Sequence, residues 1–183
     1  HRMERLVRDL LSLSRVEGEE RVRPTARVDI ARIVGSVQRT LAPLAQEAGV
    51  QLKQIGPAEN VMIPGDEDQL RQIFTNLIEN AVKYGGQGGM VEVNVEECEN
   101  IPSFQSAGVK VTVRDTGPGI EEIHIPRLTE RFYRVDSHRS REMGGTGLGL
   151  AIVKHIVTRH RGRLRIESEI GVGSRFIVTL PAS

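Results

Sequence analysis

The stretch DEDQLRQIFTNLIENAVKY, residues 66–84, decides the fold because apolar residues recur in it at helical spacing. Five side chains fall on one face of a predicted helix and should point into a core: Leu70, Ile73, Phe74, Leu77 and Ala81. Gly85 and Gly86 come next and end the helix. The chain therefore contains at least one long helix that packs by a single face.

A polar ridge runs beside that apolar face. Asn76, Asn80 and Lys83 stand at positions i, i+4 and i+7, so they lie within roughly 60° of one another around the helix. Asparagine is a poor helix former, and a solvated face gives it no reason to recur in line. Carboxamide oxygens suit Mg²⁺ and a lysine suits phosphate oxygens. From spacing alone, an ordinary solvated face and a ligand site both remain open.

The flanking sequence alternates between helical and strand patterns. Asp29 is a candidate N-cap, and Gly49 a candidate stop, for the second helix. Helices are predicted over 1–17, 30–48, 66–84, 121–132 and 148–160, and strands over 22–28, 50–55, 61–63, 90–96, 109–113, 163–168 and 174–180. Residues 98–107 read as a loop, and residues 134–147 are polar and rich in glycine. The pattern predicts an α+β sandwich, with helices on one face of a mixed sheet.

The first predicted helix has a heptad-like seam of apolar residues. The seam consists of Met3, Leu6, Leu10 and Leu13, with Val7 beside it. It could pack on its own domain or against another helix. We favour another helix, because Gly18 and Pro24 separate the segment from the α/β part of the chain.

Composition excludes several classes of function. Lysine and arginine number 25 against 24 aspartates and glutamates, which argues against a nucleic-acid-binding protein. The single cysteine, Cys98, allows neither an intrachain disulfide nor a cysteine-based zinc site, and the five histidines form no metal-binding pattern. No apolar run reaches membrane-spanning length. The chain begins at His1 without an initiator methionine, so we expect an excised fragment.

A carboxylate stands at the end of a predicted strand, in the run Asp115-Thr116-Gly117-Pro118-Gly119-Ile120. The two glycines allow turn conformations and the close approach of a ligand. A carboxylate only accepts hydrogen bonds, so it would select a donor such as the exocyclic amine of adenine over the guanine oxygen. A plain aspartate–glycine turn explains this run equally well when it is taken alone.

A glycine-rich loop, Gly144-Gly145-Thr146-Gly147-Leu148-Gly149-Leu150, leads into the last predicted helix. Glycines ahead of a helix expose backbone N–H groups, and the helix N-terminus favours anions. The loop is not a P-loop, and it comes after a polar segment rather than the strand of a dinucleotide fold. We interpret it as a phosphate cradle rather than a purely structural turn.

Taken in order, these motifs resemble those of the sensor histidine kinases. The N, G1, F and G2 boxes and the last glycine motif of that family correspond to residues 76–84, 115–120, 130–136, 144–150 and 171–174. Residues 1–17 resemble the end of the second dimerisation helix. The run 153–164 looks most like the phosphate-regulon sensor kinases of proteobacteria.

The resemblance implies the two-layer α/β sandwich of the GHKL ATPases, also called the Bergerat fold, with a preceding N-terminal helix. Residues 1–18 would be the end of the dimerisation helix with a linker, and residues 19–183 the catalytic ATP-binding domain.

The implied cofactors are ATP and Mg²⁺, and the implied catalytic residues are Asn80, Lys83 and Arg134. Asn80 would hold Mg²⁺ with Asn76 beside it, and Lys83 and Tyr84 would face phosphate and ribose. The other implied nucleotide contacts are Asp115, Gly117, Gly119, Ile120, Tyr133, Arg134, Gly145, Thr146, Gly147, Leu148, Gly149 and Ser174. Residues 134–143 would form a lid over the nucleotide.

The implied activity is that of a protein-histidine kinase, which transfers the γ-phosphoryl group of Mg-ATP to a histidine. The family's acceptor motif is absent from this sequence, so the acceptor would lie on a missing dimerisation helix. That helix would dock near Phe132 and Tyr133. A response regulator would then take the phosphoryl group.

The resemblance also implies a setting for the whole protein. It would be a homodimer with an inner-membrane anchor, and this cytoplasmic fragment would be a soluble monomer. The alternative is a regulatory, pseudokinase module that binds nucleotide without transfer. An ATPase clamp is disfavoured because Asn76 replaces the glutamate that would activate water, and residues 1–17 disfavour a separate serine kinase.

Overall fold

The structure is a computed structural model that describes residues 1–86, 88–135 and 145–183. The helices of these ranges are α1 Arg2–Glu19, α2 Ile30–Ala48, α3 Glu67–Tyr84, the 3₁₀ helix Glu122–Arg127 and α4 Gly149–Arg159. The strands are β1 Arg27–Asp29, β2 Gln51–Ile55, β3 Met62–Pro64, β4 Met90–Ile101, β5 Ser106–Asp115, β6 Arg163–Glu169 and β7 Gly173–Pro181.

A five-stranded mixed sheet in the order β2-β4-β5-β7-β6 forms one layer. Strands β2 and β4 are parallel, and the other neighbours are antiparallel. Alternate residues face the helices, and one such row runs Val93, Val113, Phe176, Ile166 across four strands. Strands β1 and β3 form a separate pair.

The opposite face of the sheet carries charge. A row of charged residues, Glu92, Arg114, Arg175 and Glu167, crosses the same four strands. Glu92 lies opposite Arg114 and Glu167 lies opposite Arg175, and the two arginines are neighbours in the middle of the row. Such cross-strand pairs suit a solvated face. With α3 against β4 and β5, α2 against β2 and α4 against β6, the helices form the second layer, and the predicted two-layer α+β sandwich is confirmed.

Most predicted elements are confirmed. Asp29 caps α2: its carboxylate accepts hydrogen bonds from the backbone N–H groups of Arg32, Asn60 and Val61 at 3.3, 2.7 and 3.1 Å. Gly49 ends the same helix in the left-handed conformation. Capping signals decide these ends because the first and last turns of a helix lack internal partners.

Three predicted boundaries are wrong. Strand β1 covers only residues 27 and 28 of the predicted strand 22–28, and it extends to Asp29. The predicted loop 98–107 is mostly strand, because a register shift between Cys98 and Ile101 lets β4 continue to Ile101, whose side chain packs over Gly108. The predicted helix 121–132 is a 3₁₀ helix that ends at Arg127, and Pro126 within it has no N–H group to donate.

The apolar seam of α1 is divided between two surroundings. Leu13 and Val16 are buried against the domain, and Leu6 packs against the same core. Met3 and Val7 are 73% and 55% exposed. One edge of the seam thus packs on its own domain, and the other edge faces outward, so the contact with another helix that we favoured stays a prediction for the outer edge.

No helix among the described residues combines the length and the hydropathy that crossing a membrane requires.

A buried histidine joins the end of α4 to the start of α3. His160 is 1% exposed; its Nε2 accepts from the Asp66 N–H at 3.0 Å, and its Nδ1 lies 2.8 Å from the Ile156 carbonyl oxygen. Because Nε2 accepts, Nδ1 must carry the proton, and the ring is neutral. Burial lowers the pKa of His160 below its ordinary 6.5.

We expect the free energy of unfolding to fall as the pH drops below 6.5, because unfolded His160 then takes up a proton that the folded ring resists. One such group contributes at most about 1.4 kcal/mol per pH unit. His160→Gln should lack this contribution to the pH slope between about pH 7 and pH 5, which urea unfolding at several pH values would measure. His124→Gln, in the 3₁₀ helix, is the matched control. An unchanged pH slope in His160→Gln would contradict the assignment.

Candidate functional site

One cavity of about 740 Å³ opens between α3, the end of β5 and the start of α4, with α1 along one side. Asn80, Asp115 and Gly147, which come from the three sequence motifs, all line it. They are far apart in sequence, and the order of the sheet and helices brings them together.

The polar ridge of α3 forms the floor of the cavity. Asn76, Asn80, Lys83 and Tyr84 are half-buried and line it. The Asn76 amide nitrogen donates to the Gly149 carbonyl oxygen at 3.2 Å, so its own oxygen is the atom left for other partners. Glu79, on the same ridge, holds the Lys83 ammonium group at 3.1 Å. The ridge thus presents amide oxygens together with one ion pair.

A buried carboxylate closes the far end. Asp115 is 7% exposed, and its Oδ1 accepts from the Gly117 N–H at 2.9 Å. Burial raises the pKa of Asp115 above its ordinary 3.8, although the hydrogen bonds from the Gly117 and Ser174 N–H groups act to lower it. Leaving lone pairs of a buried carboxylate without a hydrogen-bond donor costs free energy.

The residues around Asp115 are held by a hydroxyl network. Ser168 Oγ accepts from the Ile120 N–H at 2.7 Å and lies 2.7 Å from Ser174 Oγ. Gly119 has a φ of 80°, and a Cβ there would lie 2.3 Å from the Glu169 carbonyl oxygen. Gly119 therefore lets the loop close over β6, with Ile120 and Ser174 facing the cavity.

The glycine loop closes the other end. Gly147 has a φ of 76°, and a Cβ there would lie 2.8 Å from the Cα of Phe132. The Phe132 N–H donates to the Gly147 carbonyl oxygen at 2.8 Å, and the Arg134 guanidinium group donates to the Gly145 carbonyl oxygen. Gly147 thus permits two loops to pack against each other at the start of α4.

Tyr133 lines the cavity beside Arg134. Its hydroxyl group contacts His124, and the Arg127 guanidinium group lies 4.3 Å from its ring centroid. The ring is therefore fixed by two neighbours from the 3₁₀ helix.

Two residues of the predicted site do not line the cavity. Gly117 lies behind Asp115, where a Cβ would come 2.5 Å from the Tyr84 carbonyl oxygen. Leu148 is fully buried in the core, and its N–H group donates to Thr146 Oγ1 at 3.3 Å. The predicted lid, residues 134–143, and Gly144 lie outside the described residues except for Arg134 and Val135.

Several cavity residues were missed by sequence reasoning. Arg5, Arg8 and Asp9 of α1 form one wall, and Arg71 and Glu79 extend the ridge of α3. The spacing of Arg71, Thr75 and Glu79, each four residues apart, was a usable signal. Nothing in the α1 sequence indicates that its polar face meets this cavity.

Comparison with known proteins identifies the family. The sequence model described as "Histidine kinase-, DNA gyrase B-, and HSP90-like ATPase" matches residues 65–183. The chain belongs to that ATPase family. As a member it uses the fold to bind ATP, and its relatives place it among the catalytic ATP-binding domains of sensor histidine kinases.

The chain is 40% identical over 175 residues to the phosphate regulon sensor protein PhoR of Pseudomonas aeruginosa. The match covers 96% of this chain and 38% of that protein. The chain spans less than half the length of the curated relatives that it matches.

Solved structures agree with the family. The full-length ShkA structure in complex with AMPPNP is 29% identical, with a TM-score of 0.77, and the match covers 96% of this chain and 35% of ShkA. The catalytic domain of the histidine kinase ThkA has a TM-score of 0.72 at 22% identity, over 86% of this chain and 95% of that domain, which supports the fold.

Proposed function

We propose that the chain binds Mg-ATP in this cavity and delivers the γ-phosphoryl group to a histidine outside these 183 residues. The observation that carries the proposal is the single cavity lined by Asn80, Asp115 and Gly147. The likeness to ShkA, whose structure contains AMPPNP, supports an adenine nucleotide.

The adenine ring fits the end of the cavity that holds Asp115. The carboxylate would accept a hydrogen bond from the exocyclic amine, which guanine lacks at that position. Ile120 would flank the ring, with Gly119 and Ser174 beside it. Tyr84 and Tyr133 would line the path from the base towards the ribose and phosphates.

The phosphates fit the end formed by α3 and the glycine loop. Lys83 and Arg134 would bring positive charge, and the loop of Gly145, Thr146, Gly147 and Gly149 would bring backbone N–H groups at a helix N-terminus. Leu148 would support this loop from the core.

The donor set suits magnesium. One Asn80 oxygen is enough for an ion that keeps water and phosphate oxygens as its other ligands, with Asn76 beside it. When bound, Mg²⁺ neutralises phosphate charge. The chain's own groups orient the triphosphate and stabilise charge, which is most of what phosphoryl transfer requires.

The ridge favours transfer over hydrolysis. A water-activating base on this ridge would need a free carboxylate near the phosphates. Asn76 is an amide, and Glu79 is paired with Lys83 at 3.1 Å. An incoming imidazole does not require activation by such a base, because neutral histidine is already a nucleophile.

Residues 1–18 are proposed as the end of a dimerisation helix, and residues 19–183 as the catalytic domain. The outward edge of α1, with Met3 and Val7 exposed, supports a helical partner in a homodimer. The acceptor helix would dock beside Phe132, which is 55% exposed. A receiver domain of a response regulator would take the phosphoryl group in the cytoplasm, and an inner-membrane anchor would belong to the whole protein.

Asp115→Asn should weaken adenosine binding by about tenfold or more, because the variant loses a charged acceptor at a buried position. In the parent chain, binding should weaken on acidification from a pH above the ordinary aspartate value, since the pKa of Asp115 is raised. Isothermal titration calorimetry with adenosine measures both effects, and Glu122→Gln is the control. Equal adenosine affinity in Asp115→Asn would remove this residue from base recognition.

Chelating magnesium should weaken ATP binding by about tenfold or more in the parent chain. Asn80→Ala should bind ATP weakly even when magnesium is present. Chelation should weaken its ATP binding little further, because the metal ligand is already gone. Titrations with and without EDTA measure this, with Asn94→Ala on the outer sheet face as the control. Adenosine binding should not respond to either change. A full magnesium effect in Asn80→Ala would exclude the assignment.

The proposed activity is tested with γ-labelled ATP. The 183-residue chain should bind ATP and stay unlabelled, whereas a longer chain that includes the residues preceding His1 should acquire an acid-labile phosphohistidine. Labelling of the short chain at a histidine would refute an external acceptor. ATP binding by the longer chain without any labelling would favour the regulatory module.

A further inference from the structure

A hydrogen bond joins α1 to the glycine loop. Thr146 Oγ1 lies 2.6 Å from Asp9 Oδ2, although the two residues are 137 positions apart. Thr146 is 8% exposed, and its Oγ1 also accepts from the Leu148 N–H at 3.3 Å. Asp9 and Thr146 both line the nucleotide cavity. The bond therefore lies at the end of the cavity that receives the phosphates in the proposed function.

The Thr146 hydroxyl has a single proton, and two kinds of acceptor can claim it. A carboxylate can only accept, so the proton lies between Thr146 and Asp9 in this structure. A phosphate oxygen at the glycine loop also only accepts. Asp9 and a bound phosphate thus compete for one donor, and their like charges repel at the same place.

The position of Asp9 depends on how α1 is docked. Ser12 Oγ accepts from Gln72 Nε2 at 2.7 Å, and Glu19 accepts from Gln69 Nε2 at 3.0 Å. Together with the buried Leu13 and Val16, these contacts hold α1 against α3 and α4. Movement of α1 would therefore move Asp9 relative to Thr146.

We propose that Asp9 is a positioning residue of the nucleotide site, which occupies the Thr146 hydroxyl group while α1 is docked and thereby lowers the affinity for the triphosphate. This inference rests on the proposed function, because it requires phosphates at the glycine loop. The coupling through this contact is reciprocal: ATP weakens the Asp9–Thr146 hydrogen bond as much as that hydrogen bond weakens ATP binding. Adenosine, which has no phosphates, does not take part.

Asp9→Ala should bind ATP about threefold to tenfold more tightly than the parent chain, the size of one hydrogen bond with its charge. Adenosine affinity should change less than about twofold. The ATP affinity of Asp9→Asn, which keeps an acceptor without the charge, should lie between that of the parent chain and that of Asp9→Ala. Calorimetric titrations of both ligands measure this. Glu4→Ala, which removes a carboxylate from the exposed side of α1, is the matched control and should bind as the parent does.

A double-mutant cycle with Thr146→Val tests whether the effect of Asp9 on ATP affinity acts through the Thr146 hydroxyl group. Once the hydroxyl group is gone, Asp9→Ala should add little to ATP affinity. Amide hydrogen exchange gives a second readout: ATP should raise exchange in α1 of the parent chain, adenosine should not, and Asp9→Ala should respond to neither.

Unchanged or weaker ATP binding in Asp9→Ala would overturn the inference, because a merely structural role predicts that result. An equal gain in the Thr146→Val background would also overturn it. Failure of the parent chain to bind ATP at all would instead refute the proposed function, and this inference with it.

Discussion

Helix α3 must serve the core and the cavity at the same time, and the rest of the structure depends on that constraint. Its buried side includes Phe74 and Ile78, and it packs against α2, α4, β4 and β5. Its remaining ridge carries Asn80 and Lys83 into the cavity. Because close packing on several sides prevents rotation of the helix, the polar ridge has one orientation.

The two ends of the cavity are defined by different physical means. At one end, backbone N–H groups donate hydrogen bonds to the buried carboxylate of Asp115 and partly offset the cost of burying it. Because the carboxylate is buried, its remaining lone pairs favour a ligand that donates a hydrogen bond. At the other end, backbone groups at the start of α4 form the wall, and Gly147 allows them to pack against Phe132. A ligand that fills both ends needs an amine on a flat ring and anionic groups, which an adenine nucleotide has.

Helix α1 has one side at this site and another side that faces outward. Its domain-facing side carries both apolar anchors and polar groups that reach the cavity wall, while Met3 and Val7 face outward. A helix can transmit a displacement to the site only if its contacts with the site are discrete. The Asp9–Thr146 hydrogen bond is such a contact, because one proton cannot serve two acceptors.

The sequence by itself determined helices α1 to α4 and most strands, because caps such as Asp29 and apolar periodicity act over a few residues. It also marked Asn80, Asp115 and Gly147, whose residue types are costly unless a ligand or turn needs them. Only the tertiary structure decided that the hairpin continues past Cys98, that Gly117 and Leu148 stand behind the cavity, and that Asp9 meets Thr146. Those outcomes depend on which surfaces pack together, and packing between residues distant in the chain leaves no periodic trace in the sequence.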